Sequence, residues 1–375
     1  MNRPISILTL LAILMCTAAA RPAGAEDHFI RKDGKSTRVF QITKATFSTV
    51  SYILREGLKE QSIPRNTVKK IRFGDTPTAY TVGQDLLRKG DFENAIKAFK
   101  EARTNPNVRT WWASTWCQYY IAVAYLGWGV QTKHKGRAEE AVKTISAVTA
   151  EYPDNFFKPD FQVLYIEALT ESGDAKKAVS EADRFEKEVS AWPDKIWYMR
   201  AKFLGAKALE AVNLYAEAIS KLDTLVTFAN SSNFKDWAAE AQILKAKVML
   251  KQGNKDRALS EFQNLVGKID SSWSNGAAAA AYIGLGQVLL ENFDQPAKAR
   301  DNLLTARVVY FGTDKKDLEI MAEASYWLGR VNEALARKGE SGAKIEAGRY
   351  YQEIVKQFKT TAWVSRAQER LKHLK

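Results

Sequence analysis

The residues of this chain able to do covalent chemistry are few and scattered. Its three histidines, His28, His134 and His373, fall in a strand-like stretch, a loop and the tail. No pair has metal-ligand spacing, and there is no cysteine cluster, HExxH, GxSxG or phosphate-cradling glycine loop. Glu139-Glu140 and the pair Glu181 and Asp183 could act as general acid and base only if the fold set a substrate between them. As neighbours on helix surfaces they read as solvated faces. Gly284-Leu285-Gly286 reads as close helix packing. Nothing calls for a metal or a cofactor, and the reading is a non-catalytic protein.

Binding chemistry is better supplied. Trp111, Trp112, Trp116, Tyr119 and Tyr120 crowd one stretch, TWWASTWCQYYIAVAYLG, and Trp197 with Tyr198 opens another. Rings this large between helices are usually core, the alternative being platforms for a peptide or a sugar ring. Cys117 lies in the same crowded stretch, so packing is expected of it rather than thiol chemistry.

Helices must position these residues. Ala79 to Pro106 reads as a helix, a tight turn and a second helix. Gly83 and Ala95 are small where two helices would cross, and Phe92, Ile96 and Phe99 supply bulk at helical spacing. Gly90 suits a left-handed cap, and Asp91 an N-cap. The pattern resembles the tetratricopeptide repeat (TPR), with Tyr80, Gly83, Gly90, Asp91, Phe92, Ala95, Phe99 and Ala102 at matching positions.

Blurred copies follow, with Ala141, Ala178, Ala218, Ala258, Lys298 or Ala299, and Ala347 opening their second helices. Their turns are placed at Gly136-Arg137, Gly173-Asp174, Asn213-Leu214, Gly253-Asn254 and Asn292-Phe293-Asp294. The insertions LGWGVQTKHK, after Tyr125, and ALARKGESGAKIEA are expected as longer loops at hairpin tips. The fold expected is mainly α: a TPR-like α-solenoid of about seven helical hairpins over residues 76–375. TTAWVSRAQERLKHLK would close it with Trp363, Ala367 and Leu371 on one stripe.

The resemblance implies that the first helices line a concave groove that binds an extended peptide. Its groove positions fall on Trp116, Tyr119, Arg200, Lys207, Lys247, Lys251, Tyr326 and Arg330, with acids Asp160, Glu167 and Glu171 from the third unit. The groove would be basic toward its middle and C-terminal half and acidic near unit three. It lacks the asparagine set with which some TPR members grip a terminal carboxylate.

Residues 26–75 have a different texture, rich in Thr, Val, Ile and Phe with near-alternating polarity. The stretch is broken at Asp33-Gly34, Glu56-Gly57 and Ile63-Pro64, which predicts four or five short antiparallel strands in a small barrel-like module. It resembles the small SH3-like barrels that precede repeat domains in exported bacterial proteins. Capping of the first hairpin and a binding role are both open to it. Residues 1–25 read as a cleaved export signal: Arg3, an apolar run from Ile5 to Cys16, and Ala23-Gly24-Ala25 for the peptidase. Met15 before Cys16 argues against lipidation, and no later stretch has the apolar length of a membrane span.

The chain carries 56 Lys and Arg against 43 Asp and Glu, a net charge of +13, and loss of residues 1–25 would remove Arg3 and Arg21. Charges this mixed are mostly solvated helix faces. The function expected is an interaction scaffold or adaptor of a bacterial envelope, periplasmic or secreted. Its partner would be a protein or peptide with acidic segments, or a second copy of the chain. The alternative is a protein that binds an acidic polysaccharide, with Trp116, Tyr119 and Tyr326 exposed as sugar platforms. Nucleic acid is not expected as a partner. An enzyme with an unrecognised site is the least supported reading.

Overall fold

The computed structural model describes residues 26–270, 273–309 and 315–374. The export signal read in residues 1–25 lies outside them. Alternation of polarity from Asp27 onward builds six short strands: β1 (Asp27–Arg31), β2 (Ser36–Val39), β3 (Gln41–Ala45), β4 (Thr49–Ile53), β5 (Glu60–Pro64) and β6 (Val68–Arg72). They form two antiparallel sheets, ordered β2-β1-β6 and β3-β4-β5. The sixth strand arises because one run is interrupted at Phe40, which separates β2 from β3. Gly34 and Gly57 take positive φ in the turns expected of them. The β3–β4 turn has no glycine; there the Thr46 hydroxyl accepts from Ser48 N and Thr49 N. Pro64 ends β5, a single 3-10 turn follows at Arg65–Thr67, and Phe29, Val39, Ile42, Val50 and Val68 fill the interior.

Pro77 precedes the first of fifteen helices among the described residues. Hairpins pair α1 (Thr78–Arg88) with α2 (Phe92–Thr104), α3 (Thr110–Thr132) with α4 (Lys135–Glu151), and α5 (Lys158–Ser172) with α6 (Ala175–Val189). They continue as α7 (Lys195–Ala211) with α8 (Tyr215–Ser231), α9 (Lys235–Lys251) with α10 (Lys255–Gly267), and α11 (Asn275–Phe293) with α12 (Pro296–Val309). The last hairpin is α13 (Lys315–Arg337) with α14 (Ala343–Gln357), closed by α15 (Val364–His373). The expected seven hairpins and closing helix are present, and Ala367 is buried on α15.

The pattern of small and large residues acts as expected. A Cβ on Gly83 would lie 2.9 Å from the Phe99 ring, on Gly284 2.1 Å from Phe262, and on Gly329 2.4 Å from Tyr351. Each glycine lets an aromatic ring sit against a first helix's backbone, from its own hairpin at Gly83 and Gly329 and from the preceding hairpin at Gly284. Gly90, Gly173, Asn213, Gly253 and Asp294 take the left-handed conformation at the hairpin tips, and Asp91 accepts from Asn94 N as N-cap.

Two expectations fail. Gly136 lies inside α4, and the left-handed residue of that turn is Lys133, φ 54°. The insertions are largely helix rather than loop: α3 runs through Trp128 to Thr132, and α13 runs to Arg337, each 23 residues long. Apolar residues in both insertions, such as Leu126 and Leu335, are buried, so extending the helix hides surface that a loop would expose.

The β module is docked on the array. Phe73 stacks on Trp112 at 4.5 Å, and one apolar core runs from Phe29 and Ile42 to Trp112 and Cys117. At the far end the array bends back on itself. Gln131 Nε2, at the end of α3, donates to Lys359 O at 2.8 Å, and Ser365 Oγ on α15 donates to Gln131 O at 3.1 Å. Gly90, in the α1–α2 turn, sits so close to Thr360 that a Cβ there would meet its backbone at 3.2 Å.

Candidate binding surface

The first helices of neighbouring units, α3, α5, α7, α9, α11 and α13, touch one another in succession, whereas the second helices do so far less. First helices therefore lie on the inside of the bend. Small residues on these helices permit their close approach: Ala168, Ala201, Ala206, Ala241, Ala279 and Ala324 are all fully buried.

On the N-terminal half of this inner face the residues form a mixed-charge strip. Asp160 and Glu167 on α5 face Arg200 and Lys207 on α7, and Arg65 of the β module stands 4.0 Å from Asp160. Burial raises the carboxyls of Asp160 and Glu167 above the usual range, although Arg65 and Arg200 oppose this at Asp160, and Lys207 and Arg200 oppose it at Glu167. Among the described residues no cation comes within 4.0 Å of the Glu167 carboxylate. A hollow of about 200 Å3 opens here, with Glu167, Glu171 and Lys207 on its rim and Leu126 and Leu204 in its wall. Tyr119 borders the strip with its ring stacked on Phe157 at 4.2 Å, and burial raises its hydroxyl pKa.

Next to the strip lies a larger cavity of about 550 Å3, where β6, α1, α3 and the segment after α4 meet. Phe73, Tyr80, Trp116, Tyr120, Phe156 and Phe157 line it, while Lys69, Lys70 and Arg72 stand exposed at its mouth. The sequence signals of this cavity are Phe156-Phe157 and Lys69-Lys70, but one pair belongs to the repeats and the other to the β module, and no periodicity joins them.

The residues placed in the groove by the repeat register meet varied surroundings. Trp116 is 5% exposed, with Phe156 stacked on it and Phe73 meeting it in a T-shaped contact, and Tyr326 is 8% exposed against Trp327, Tyr351 and Trp363. Both belong to the core; they are not open sugar platforms. The expected basic groove is also corrected over α9 to α13, because acids from other first helices stand beside its cations there. Lys251 pairs with Glu210 of α7, and Arg330 stands 3.8 Å from Glu291 of α11 and over the Trp327 ring. Lys247 reaches past α11, which opens with the short side chains NGAAAAA, to Glu323 of α13 at 3.5 Å. Arg200 lies over Trp197, and Lys207 is exposed beside Glu167. The register told which residues face inward, but not which residues of the next helix they would meet.

Among the described residues no group of three or more His, Cys, Asp or Glu side chains could hold a metal ion, and no helix is long and apolar enough to cross a membrane.

No family model and no curated protein matches the chain. Similar solved structures include a tetratricopeptide repeat protein from Parabacteroides merdae, 14% identical, with 80% of this chain and 98% of that one covered and a TM-score of 0.46. The apo form of RapI is 14% identical over 80% of this chain and 76% of its own, at 0.46. The apo form of the quorum sensor NprR from B. thuringiensis is 13% identical over 79% of each, at 0.45. Seven helical hairpins with small residues at their crossings, a closing helix and a small antiparallel β module in front make this chain a TPR-like α-solenoid.

Proposed function

We propose that the protein is a non-catalytic scaffold that binds an extended peptide segment of a partner along the N-terminal half of its inner face. One observation carries the reading: the cavity lined by six aromatic residues opens beside the charged strip of Asp160, Glu167, Arg200 and Lys207. The half-buried Glu167 carboxylate, with no cation within 4.0 Å among the described residues, leaves polar capacity that a ligand's donors can take up, and the cavity supplies apolar contact. Lys69, Lys70 and Arg72 at its mouth favour an acidic residue in the ligand. We read the β module as SH3-like, which is supported by β6 returning to pair with β1 after a 3-10 turn. Export by residues 1–25 into a bacterial envelope belongs to the same proposal.

The test is retention of a partner from envelope extract by residues 26–375, beside a variant carrying Lys69→Glu, Lys70→Glu and Arg72→Glu at exposed positions. A protein held by the wild type and lost by the folded variant supports the reading; equal recovery on both baits overturns the site. The polysaccharide alternative needed Trp116, Tyr119 and Tyr326 in the open; Trp116 and Tyr326 are buried and Tyr119 is half-buried. Retention of acidic polysaccharide in place of any protein would restore it.

A further inference from the structure

A separate cleft of about 460 Å3 opens between the β module and the loop joining α6 to α7. Its walls are apolar and rigid: Phe47, Pro64, Pro159, Trp192, Pro193 and Trp197. The Phe47 and Trp192 rings pack at 4.4 Å, and Phe47 N donates to Asp154 at 3.1 Å, which ties the module's loop to the array. Lys32, Arg65 and Lys69 bring positive charge to the rim, against Asp194, which stands 4.0 Å from Lys32.

Arg65 is the informative residue. Its side chain is only 18% exposed and lies over the Phe156 ring at 3.9 Å. Its Nε donates to Phe156 O at 3.3 Å, and Asp160 is beyond hydrogen-bond reach at 4.0 Å. Among the described residues its two terminal nitrogens make no hydrogen bond. Burial accordingly lowers its pKa, even with Asp160 and Asp194 opposing. A largely buried guanidinium with unspent donors is costly unless an acceptor arrives, and its planar fork matches a carboxylate.

We propose that this cleft binds an apolar carboxylate, its carboxyl group held by the terminal nitrogens of Arg65 and its body lodged among Trp192, Trp197 and the three prolines. The volume lies in the usual range for a small-ligand site, about 300–1,000 Å3. Two sources share this chemistry: the C-terminus of a peptide that ends in an apolar residue, and a free aryl or alkyl acid. The cleft shares only Lys69 with the lining of the cavity described above, while Arg65 stands between the two, beside Asp160 of the inner-face strip.

The test is titration calorimetry on residues 26–375 with three probes: the acetylated tripeptide alanyl-leucyl-phenylalanine, its C-terminal amide, and 3-phenylpropionate. The expected result is binding of one or both acids, with the amide weaker by roughly tenfold or more, the size of a charge-assisted hydrogen bond. Arg65→Gln should lose a similar factor. Asn66→Trp, at an exposed lining position, should block the cleft without unpacking the fold, as checked by circular dichroism. Binding of the tripeptide acid alone identifies the source as a peptide terminus, and binding of both acids a free carboxylate. Failure of both acids to bind, equal binding of acid and amide, or unchanged binding in both variants overturns the proposal.

Discussion

Arg109 and Asp27 form a two-pronged ion pair with both contacts at 2.8 Å, across 82 positions of sequence and across the junction between β module and helical array. The Asp27 carboxylate is fully buried and also accepts from Ile42 N and Gly74 N. Arg109 spends its remaining donors on Asp75 and on Ile42 O, so every N–H of the guanidinium has a partner. Asp75 accepts in turn from Trp112 Nε1. The module is thereby fastened to α3 by a polar cluster with no unspent capacity, set in the core that the two parts share.

Removing the arginine strands two carboxylates in that core. Arg109→Ala is expected to cost about 3–5 kcal/mol, the usual penalty for breaking a buried pair by deleting one partner. Arg109→Lys should recover only part of this, because an ammonium cannot serve both acids and the carbonyl in one plane. Urea unfolding checks both. A cost below 1 kcal/mol for the alanine variant would show that the cluster does not hold the module.

Stability should fall toward both ends of the pH scale, from different groups. Burial would raise Asp75 and Glu186, but Arg109 in the first case and Lys202 with Lys221 in the second overcome it and hold them below the usual range. A lowered carboxyl contributes stability that is complete above its unfolded pKa of about 4 and is lost as pH falls through the lowered value. Lys221 and Lys245 lie above the usual lysine range: burial opposes this, but Glu186 and Asp183 in one case, and Asp223 and Glu261 in the other, prevail. Their contribution is complete below about 10.4 and is lost as pH rises through the raised values. Thermal unfolding in Glu186→Gln should show a weaker fall at both ends, since one acid serves both limbs.

Glu167 should behave in the opposite sense. Its carboxyl is raised by burial, so ionisation at neutral pH costs stability that protonation would relieve. Glu167→Gln is expected to raise the melting temperature at pH 7 and to weaken partner retention on the inner face. A lower melting temperature at pH 7 would mean that Arg200 and Lys207 already compensate this charge in the free protein.

The glycines make a matched pair of predictions. A Cβ on Gly284 would meet the Phe262 ring at 2.1 Å, while one on Gly348 finds nothing within 4 Å. Gly284→Ala should cost about 1–3 kcal/mol by overpacking, and Gly348→Ala in the interior of α14 should gain up to about 1 kcal/mol from helix propensity. Calorimetric melting of the two variants should shift in opposite directions.

This contrast also marks how far the sequence could be read. Gly83 with Phe99, and Gly90 with Asp91, are local relationships within one hairpin, so spacing alone exposed them. The extension of α3 through Trp128 was hidden because Gly127 and Gly129 resemble loop residues. Yet a Cβ on Gly127 would lie 2.8 Å from Phe92, so this glycine too serves helix packing. Pairings such as Arg109 with Asp27, or Lys247 with Glu323, join residues that no repeat register relates. The inner-face cations were located in sequence, but their acid partners depend on how one helix sits on the next.

Cys117 offers a simple check on the core around α3. Burial pushes its thiol up to about 12, with Arg103 only weakly opposing. The thiol is 0% exposed. An aromatic disulfide reagent at pH 8 should leave the native protein unmodified and react after denaturant is added. Prompt reaction in the native state would mean that α3 opens locally.

The contact between the two ends of the array should set its curvature. Neighbour-to-neighbour packing alone would leave a row of hairpins open to bending, because each unit touches only the next. Here Gln131, Ser365 and Thr360 add a contact across more than two hundred residues, and Glu319 on α13 accepts from Ala362 N at 2.9 Å to hold the returning segment in place. Closing so long a span costs loop entropy, which a few exposed or part-buried hydrogen bonds offset only because the packed units already bring the ends close. The seam should therefore be weak by itself and decisive for shape. Gln131→Ala with Ser365→Ala is expected to change the melting temperature little, while hydrogen exchange rises at 129–133 and 359–365 and the radius of gyration in solution scattering grows. Gly90→Val, which forces a side chain against Thr360 and also strains a turn residue at φ 74°, should give the same two changes together with a lower melting temperature. An unchanged radius of gyration in both variants would show that hairpin packing alone fixes the bend.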